Sequence, residues 1–219
     1  MKRFFANNSL SIVLIALFLI FLVGLALAGY AQQNEQLAMH GQPPESFTSY
    51  LGSGEFVEAV FENWESEFLQ MGMFVLLTIW FKQKGSADSK EIEGGNPVDA
   101  PSPYPLRRAK TWQERWRAIG HMLYGSSLTI AMFGLFFLSF ALHAAGGVSA
   151  ANEEAVQHGE PTMSVWQYLA SSQFWFESFQ NWQSEFIAVA ALIIFSIFLR
   201  QRHSPESKPV EESDAKTGE

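Results

Sequence analysis

Shifted by 118 residues, the chain matches itself without a gap from Asn7/Gly125 to Lys90/Lys208, and 28 of those 84 pairs are identical. The identities include Asn34/Asn152, His40/His158, Gly41/Gly159, Pro43/Pro161, Tyr50/Tyr168 and Ser53/Ser171. The densest block is Phe61/Phe179, Asn63/Asn181, Trp64/Trp182, Ser66/Ser184, Glu67/Glu185 and Phe68/Phe186. Register held over such a length reads as an internal duplication, so whatever one copy folds into, the other must be able to fold into as well.

The copies are greasy. Residues 10–28 form a run of 19 without a charge, and residues 122–145 a run of 24 in which only His143 titrates. About 20 apolar residues cross the ~30 Å hydrocarbon layer of a bilayer, so both runs read as transmembrane helices. Residues 68–81 and 186–199 are shorter, at 14 each. At about 1.5 Å per residue they cover only about 21 Å and must recruit residues from their N-terminal sides to cross. The expected architecture is an all-α membrane protein: four transmembrane helices, as two tandem helical hairpins in parallel internal duplication. An even number of spans per copy sets both copies the same way up, with a pseudo-twofold axis along the membrane normal rather than an inverted repeat.

Charge sets the orientation. The net charge is −8, but all 14 Lys and Arg fall at residues 2–3, 82–117 and 200–216. The intervening stretches 30–67 and 148–185 hold none, while carrying seven and five Glu. Positive loops are retained on the cytoplasmic side, which predicts both termini and the middle segment inside. The start of the chain, Lys2-Arg3, an apolar core and Ala26-Leu27-Ala28, resembles a signal peptide. Its duplicate lies in mid-chain, so an uncleaved anchor is expected instead. With no cysteine, disulfides and thiolate metal sites are excluded.

The N-W-x-S-E-F block at 63–68, the H-G-x-P turn at 40–43 and the closing S-x-E-S-K-P at 204–209 resemble a family of uncharacterised bacterial multi-pass membrane proteins, a domain of unknown function. The resemblance implies a bacterial inner-membrane location and carries no activity with it.

Four segments follow: a first two-span repeat at 1–90; a cytoplasmic Pro/Gly linker with a basic amphipathic helix at 91–120; a second two-span repeat at 121–203; and a disordered cytoplasmic tail at 204–219. The first helix is expected over 10–39, stopped by Gly41 and Pro43. Ser46 and Ser164 cap short helices, and Ser53 and Ser171 (or Ser172) cap the returning helices. Trp64 and Trp182 are expected as anchors at the outer interface. The basic helix, expected over 107–120, sets Trp112 and Trp116 one turn apart. With Arg107, Arg108, Lys110, Arg115 and Arg117 it would lie on anionic inner-leaflet lipids.

Counted upward from Lys82, Glu67 lies about 22 Å into the layer, with Asn63 one turn above it on the same face. Glu185 and Asn181 repeat the arrangement, and His143 arrives at the same level. An unpaired charge at this depth costs several kcal/mol, and neither outer stretch supplies a cation. The expected cluster is therefore Asn63, Glu67, His143, Asn181 and Glu185, buried at the bundle axis with His143 as partner to Glu185 or Glu67. The competing reading makes these residues interhelical hydrogen bonds that fix packing. No nucleophile, phosphate loop or metal box is visible, so no catalytic role, metal or cofactor is expected; a Glu67, Glu185 and His143 metal site is the weakest reading. The functional expectation is a non-enzymatic membrane protein, structural or partner-binding, embedded in the lipid bilayer. It binds no nucleic acid and is open to homo-oligomerisation. A small channel or transporter using the Asn/Glu/His level is the alternative.

Overall fold

The computed structural model describes residues 2–218, and its elements are helical throughout: α1 (Lys2–Asn7), α2 (Ser9–Met39), α3 (Phe47–Tyr50), α4 (Gly54–Leu77), α5 (Trp112–Gly125), α6 (Ser127–His158), α7 (Val165–Leu169) and α8 (Ser172–Phe198). Two 3-10 turns, Pro97–Asp99 and Leu106–Arg108, punctuate the segment between α4 and α5.

Among the described residues three helices, not the expected four, are long and apolar enough to cross a membrane: α2, α6 and α8. The shortfall is in α4. Its 24 residues reach about 36 Å, enough to span, but Glu55, Glu58, Glu62, Glu65 and Glu67 crowd residues 54–67. Its counterpart α8 has Gln or Phe at four of those five positions and qualifies. By contrast α2 is apolar all round over residues 10–28. Leu10, Ile15, Phe21 and Leu27 are exposed on different sides, and Ala26 and Gln33 are its buried residues. A helix with no polar face suits hydrocarbon better than water.

The chain divides into two compact units. The first comprises residues 1–60 and 142–170 and holds α2, α3, the start of α4, the C-terminal half of α6, and α7. Its turns close by interactions that recur 118 residues apart. Asn34 Oδ1 accepts from the Glu45 backbone N–H at 2.7 Å, and Asn152 Oδ1 accepts from that of Met163 at 2.7 Å. His40 Nδ1 lies 2.8 Å from the Gln36 carbonyl, and His158 Nδ1 lies 2.9 Å from that of Glu154. Gly41 and Gly159 take φ of 68° and 71°, the left-handed region where a side chain is strained. Ser46 and Ser164 cap α3 and α7 through the N–H groups of Ser49 and Gln167. Tyr50 and Tyr168 lie almost wholly buried, and each hydroxyl sits where a Cβ on Gly29 or Gly147 would fall, at 2.0 and 2.2 Å. Each tyrosine thus needs a glycine across from it.

A second glycine contact has no such echo. A Cβ on Gly54, the first residue of α4, would lie 2.5 Å from the Ala150 nitrogen and 2.6 Å from the Gly146 carbonyl oxygen. One on Gly146 would lie 2.5 Å from the Glu58 nitrogen. Backbone meets backbone there, a closeness that small residues alone permit. The positions 118 residues away are Ser172 and Ala28.

The second unit comprises residues 61–141 and 171–219. The basic helix runs Trp112–Gly125 rather than 107–120, which corrects both expected boundaries. Pro105 starts a 3-10 turn through Arg108, and Thr111 then caps α5. Thr111 Oγ1 accepts from the Glu114 N–H, while the Glu114 carboxylate accepts from those of Thr111 and Lys110. The T-W-Q-E sequence at 111–114 has the spacing of this capping box and marks the helix start more sharply than the basic run does. Arg107, Arg108 and Lys110 consequently precede α5, while Arg115 and Arg117 lie on it. Trp112 and Trp116 are both exposed, with ring centroids 6.2 Å apart. The backbone N–H groups of Thr111 and Lys110 hold the Glu114 carboxyl below its ordinary 4.5. A depressed carboxyl adds stability above its unfolded pKa and loses it as pH falls through the lower folded value. Acidification below about pH 4.3 is therefore expected to fray the start of α5. Thr111→Ala should fray it already at neutral pH. Amide exchange at Arg115 and Trp116, compared at one fixed pH, measures the second effect.

The segments that follow α4 and α8 adopt matching turns. Ser89 Oγ accepts from the Gln83 N–H at 2.9 Å and Ser207 Oγ from that of Gln201 at 2.8 Å. Gly85 and His203 both take positive φ, 87° and 70°. The region 204–218, expected as disordered, makes defined contacts. Lys208 is buried and its ammonium donates to the carbonyls of Ser213, Asp214 and Lys216, each at 3.2 Å. The Thr217 hydroxyl accepts from the Gly85 N–H, and the Gly218 N–H reaches the Ser86 carbonyl.

Candidate functional site: a carboxylate ladder on α4

Residues 58, 62 and 65 follow one another at helical spacings of four and three, which places them on one stripe of α4. Each meets a neutral donor. Tyr168 Oη donates to Glu58 Oε1 at 2.8 Å within the first unit. In the second unit Asn181 Nδ2 donates to Glu62 Oε1 at 2.5 Å and Trp182 Nε1 to Glu65 Oε1 at 2.9 Å. Glu65 has no exposed surface, and Ser66 beside it is equally buried. Ser66 returns its hydroxyl to the Asn63 carbonyl, as Ser184 does to that of Asn181. Hydrogen bonds to a charged acceptor are worth roughly 1.5–3 kcal/mol, and a buried carboxylate stripped of its donor costs at least as much.

Around Trp182 the walls are aromatic. Phe136, Trp175 and Phe179 have ring centroids 6.2, 6.2 and 5.6 Å from the indole, all at steep edge-to-face angles. Phe174, wholly buried, stacks edge-on against Phe140 at 5.1 Å. The indole is thus fixed by its neighbours before it offers its N–H to Glu65. Trp64, expected as its twin anchor, instead packs on its own helix between Phe61 and Phe68 at 5.2 and 6.3 Å.

The cluster expected from the sequence is redistributed. Asn181 and Trp182 belong to the ladder. Glu67 and Asn63 are exposed, and Glu185 is half-buried, rather than lying at a buried axis. Glu67 and Glu185 do lie within reach of each other's charge. His143 is fully buried, and the carboxylate within 4.8 Å of its ring nitrogens in the first unit is Glu58. Counting residues gives depth but not azimuth, and Glu67 lies about 200° around the helix from Glu65 at 100° per residue. One signal could have found the right stripe. Glu58, Glu62 and Glu65 stand 118 residues before Phe176, Gln180 and Gln183, so these acids are where the match between the two segments fails.

A family model matches residues 1–219 from end to end. The chain belongs to DUF6766, a domain of unknown function. No curated protein matches it, and no solved structure does. DUF6766 membership therefore fixes a family without an activity, and the chemistry of this DUF6766 chain rests on its own residues. Those residues are carboxylates engaged by Tyr, Asn and Trp donors, with three apolar helices that make a membrane location plausible.

Proposed function

We propose that this chain is a four-span protein of the bacterial inner membrane, duplicated from a two-helix ancestor, that works without enzymatic chemistry as a structural or partner-binding element. The ladder is the observation that carries this reading. Glu58, Glu62 and Glu65 are engaged by side-chain donors, and in that arrangement they hold helices rather than offer a solute its path. In this account α4 inserts as the fourth span, because donors on its neighbour offset the cost that excludes it on composition alone. The recurrence of the Asn/backbone, His/carbonyl, Gly/Tyr and Ser/backbone contacts at a spacing of 118 residues supports the duplication.

The orientation rests on the fourteen cations confined to three segments, which places both termini and α5 inside. There Trp112 and Trp116 are free to enter anionic lipid, with Arg115 and Arg117 on the same helix. Proteoliposome flux tests the choice between scaffold and conduit. Wild-type protein should pass protons and monovalent cations no faster than protein-free vesicles. Flux above that level, abolished by Glu65→Gln or by a Glu67→Gln/Glu185→Gln double variant, would make the protein a transporter instead.

A further inference from the structure

A groove of about 350 Å³ runs between the C-terminal parts of α4 and α8, wholly within the second unit. Its walls are apolar: Phe74 and Leu77 on α4, and Val189, Ala190, Ile193 and Ile194 on α8. Residues 71–81 and 186–199 carry no charge. Thr78 also lines the groove but spends its hydroxyl on the Val75 carbonyl. These walls hold little for a polar solute. The lining on α8 runs from Phe186 to Ile194, about 12 Å of helix. A slot of that size suits a small molecule or a lipid chain, and it is too narrow for a partner helix about 10 Å across.

One end of the groove is polar. Lys82, Gln83, Ser86, Asp88 and Ser89 line it there, in the turns that follow α4. Lys82 and Asp88 are both exposed, so the mouth carries one cation and one carboxylate. Lys82 Nζ donates to the Glu91 and Ile92 carbonyls at 2.6 and 3.4 Å, which positions an ammonium that still has a third N–H. The mouth is pinned on two sides. Ser89 Oγ accepts from the Gln83 N–H, and the Gly218 N–H reaches the Ser86 carbonyl. A mouth held in shape by the chain itself loses little freedom when a ligand enters.

We propose that this groove holds one glycerophospholipid with a zwitterionic, primary-amine headgroup of the phosphoethanolamine class. An acyl chain lies along the apolar walls, the phosphate meets the Lys82 ammonium, and the headgroup ammonium meets the Asp88 carboxylate. The charges at the mouth select this headgroup. A purely anionic one sets its charge against Asp88, and a choline has no N–H to donate. A fatty acid satisfies the walls and Lys82 but brings no cation to Asp88. The inference goes beyond the scaffold reading and rests on its insertion of α4 beside α8, with Lys82 at the inner edge of the bilayer.

Native mass spectrometry of the full chain, delipidated in a non-ionic detergent, tests it. The probes are phosphatidylethanolamine, phosphatidylcholine and phosphatidylglycerol of one acyl composition, added in equal amounts, with palmitate as a separate arm. One phosphatidylethanolamine per chain is expected, retained about tenfold over either competitor. Asp88→Asn should erase the preference over phosphatidylglycerol, and Asp88→Lys should reverse it. Ala190→Phe, which fills the groove, should lower retention of all three lipids about tenfold. Lys84→Gln, outside the lining, should change nothing. Asp88 is exposed in a turn, so its variants fold even if that of Ala190 does not. No retained lipid, equal retention of the three, a wild-type preference for phosphatidylglycerol or palmitate, or an unchanged preference in Asp88→Asn would overturn the proposal. Labelling of introduced thiols tests the insertion of α4 separately, so absent selectivity with that insertion intact counts against the lipid site alone.

Discussion

Gly146→Ala is expected to be among the most destabilising single methyl additions to the protein, alongside Gly54→Ala. The new Cβ would stand 2.5 Å from the Glu58 backbone nitrogen and 2.9 Å from the Gly54 carbonyl oxygen. Neither is the end of a flexible side chain, so two helices must part. Overpacking a tight contact costs about 1–3 kcal/mol and occasionally more; backbone on both sides puts this case at or above the top of that range. Parting here also pulls on Glu58, whose carboxylate takes the Tyr168 hydroxyl. Gly29→Ala makes the instructive contrast. Its Cβ would meet the Tyr50 hydroxyl at 2.0 Å, but the next atom, Cζ, at 3.0 Å. Tyr50→Phe should therefore rescue Gly29→Ala in large part. The same change at Tyr168 should not rescue Gly147→Ala, where Cζ at 2.5 Å and Glu58 Oε1 at 2.6 Å remain in the way. Gly24→Ala and Gly134→Ala, with open space around them, should be neutral or gain up to about 1 kcal/mol from helix propensity. Reversible unfolding in mixed micelles measures the whole series.

Trp182→Phe should cost about 1.5–3 kcal/mol, because it keeps most of the aromatic packing and removes the indole N–H from a carboxylate with no exposed surface. Hydrogen bonds measured inside membranes often fall below that range, so the lower end applies if α4 lies wholly in lipid. Glu65→Gln should cost less, since an amide oxygen can still accept from the indole. The double variant separates the pair from its surroundings, and a coupling energy above about 0.5 kcal/mol is expected. Additive single effects would mean that Glu65 is held by its other neighbours and that the indole contributes packing alone.

Much of the fold was legible because its signals are local. The capped starts at Ser46, Ser53, Ser164 and Ser171, the Gly41 and Gly159 stops and the lengths of α2, α6 and α8 all follow from short-range chemistry and hydropathy. One feature misleads. A basic run around Arg107 sets the start of α5 five residues too early, although Pro105 and the Thr111/Glu114 pair mark it. Apolar length at 68–81 points to a fourth span; the five acids of α4 keep it from qualifying on composition, so its insertion rests on the donors that meet Glu58, Glu62 and Glu65. The candidate site was legible in level but not in direction. Asn181 and Trp182 donate to Glu62 and Glu65 rather than to Glu67 and Glu185, and the carboxylate near His143 in the first unit is Glu58. Identity at the 118-residue offset points to Glu67 and Glu185, whereas the acids of the ladder stand where the two segments differ.

The central claim is that α4 crosses the membrane, so that the outer turns of both copies face one compartment. The chain has no cysteine, which makes single introduced thiols unambiguous reporters. Ser46→Cys, Ser102→Cys and Ser164→Cys, each labelled in intact spheroplasts with a membrane-impermeant maleimide, decide the matter. The account requires labelling at positions 46 and 164 and protection at 102 until the membrane is permeabilised. Labelling of 46 and 102 together with protection of 164 would place α4 on the surface and the two copies on opposite sides, and the account would be wrong.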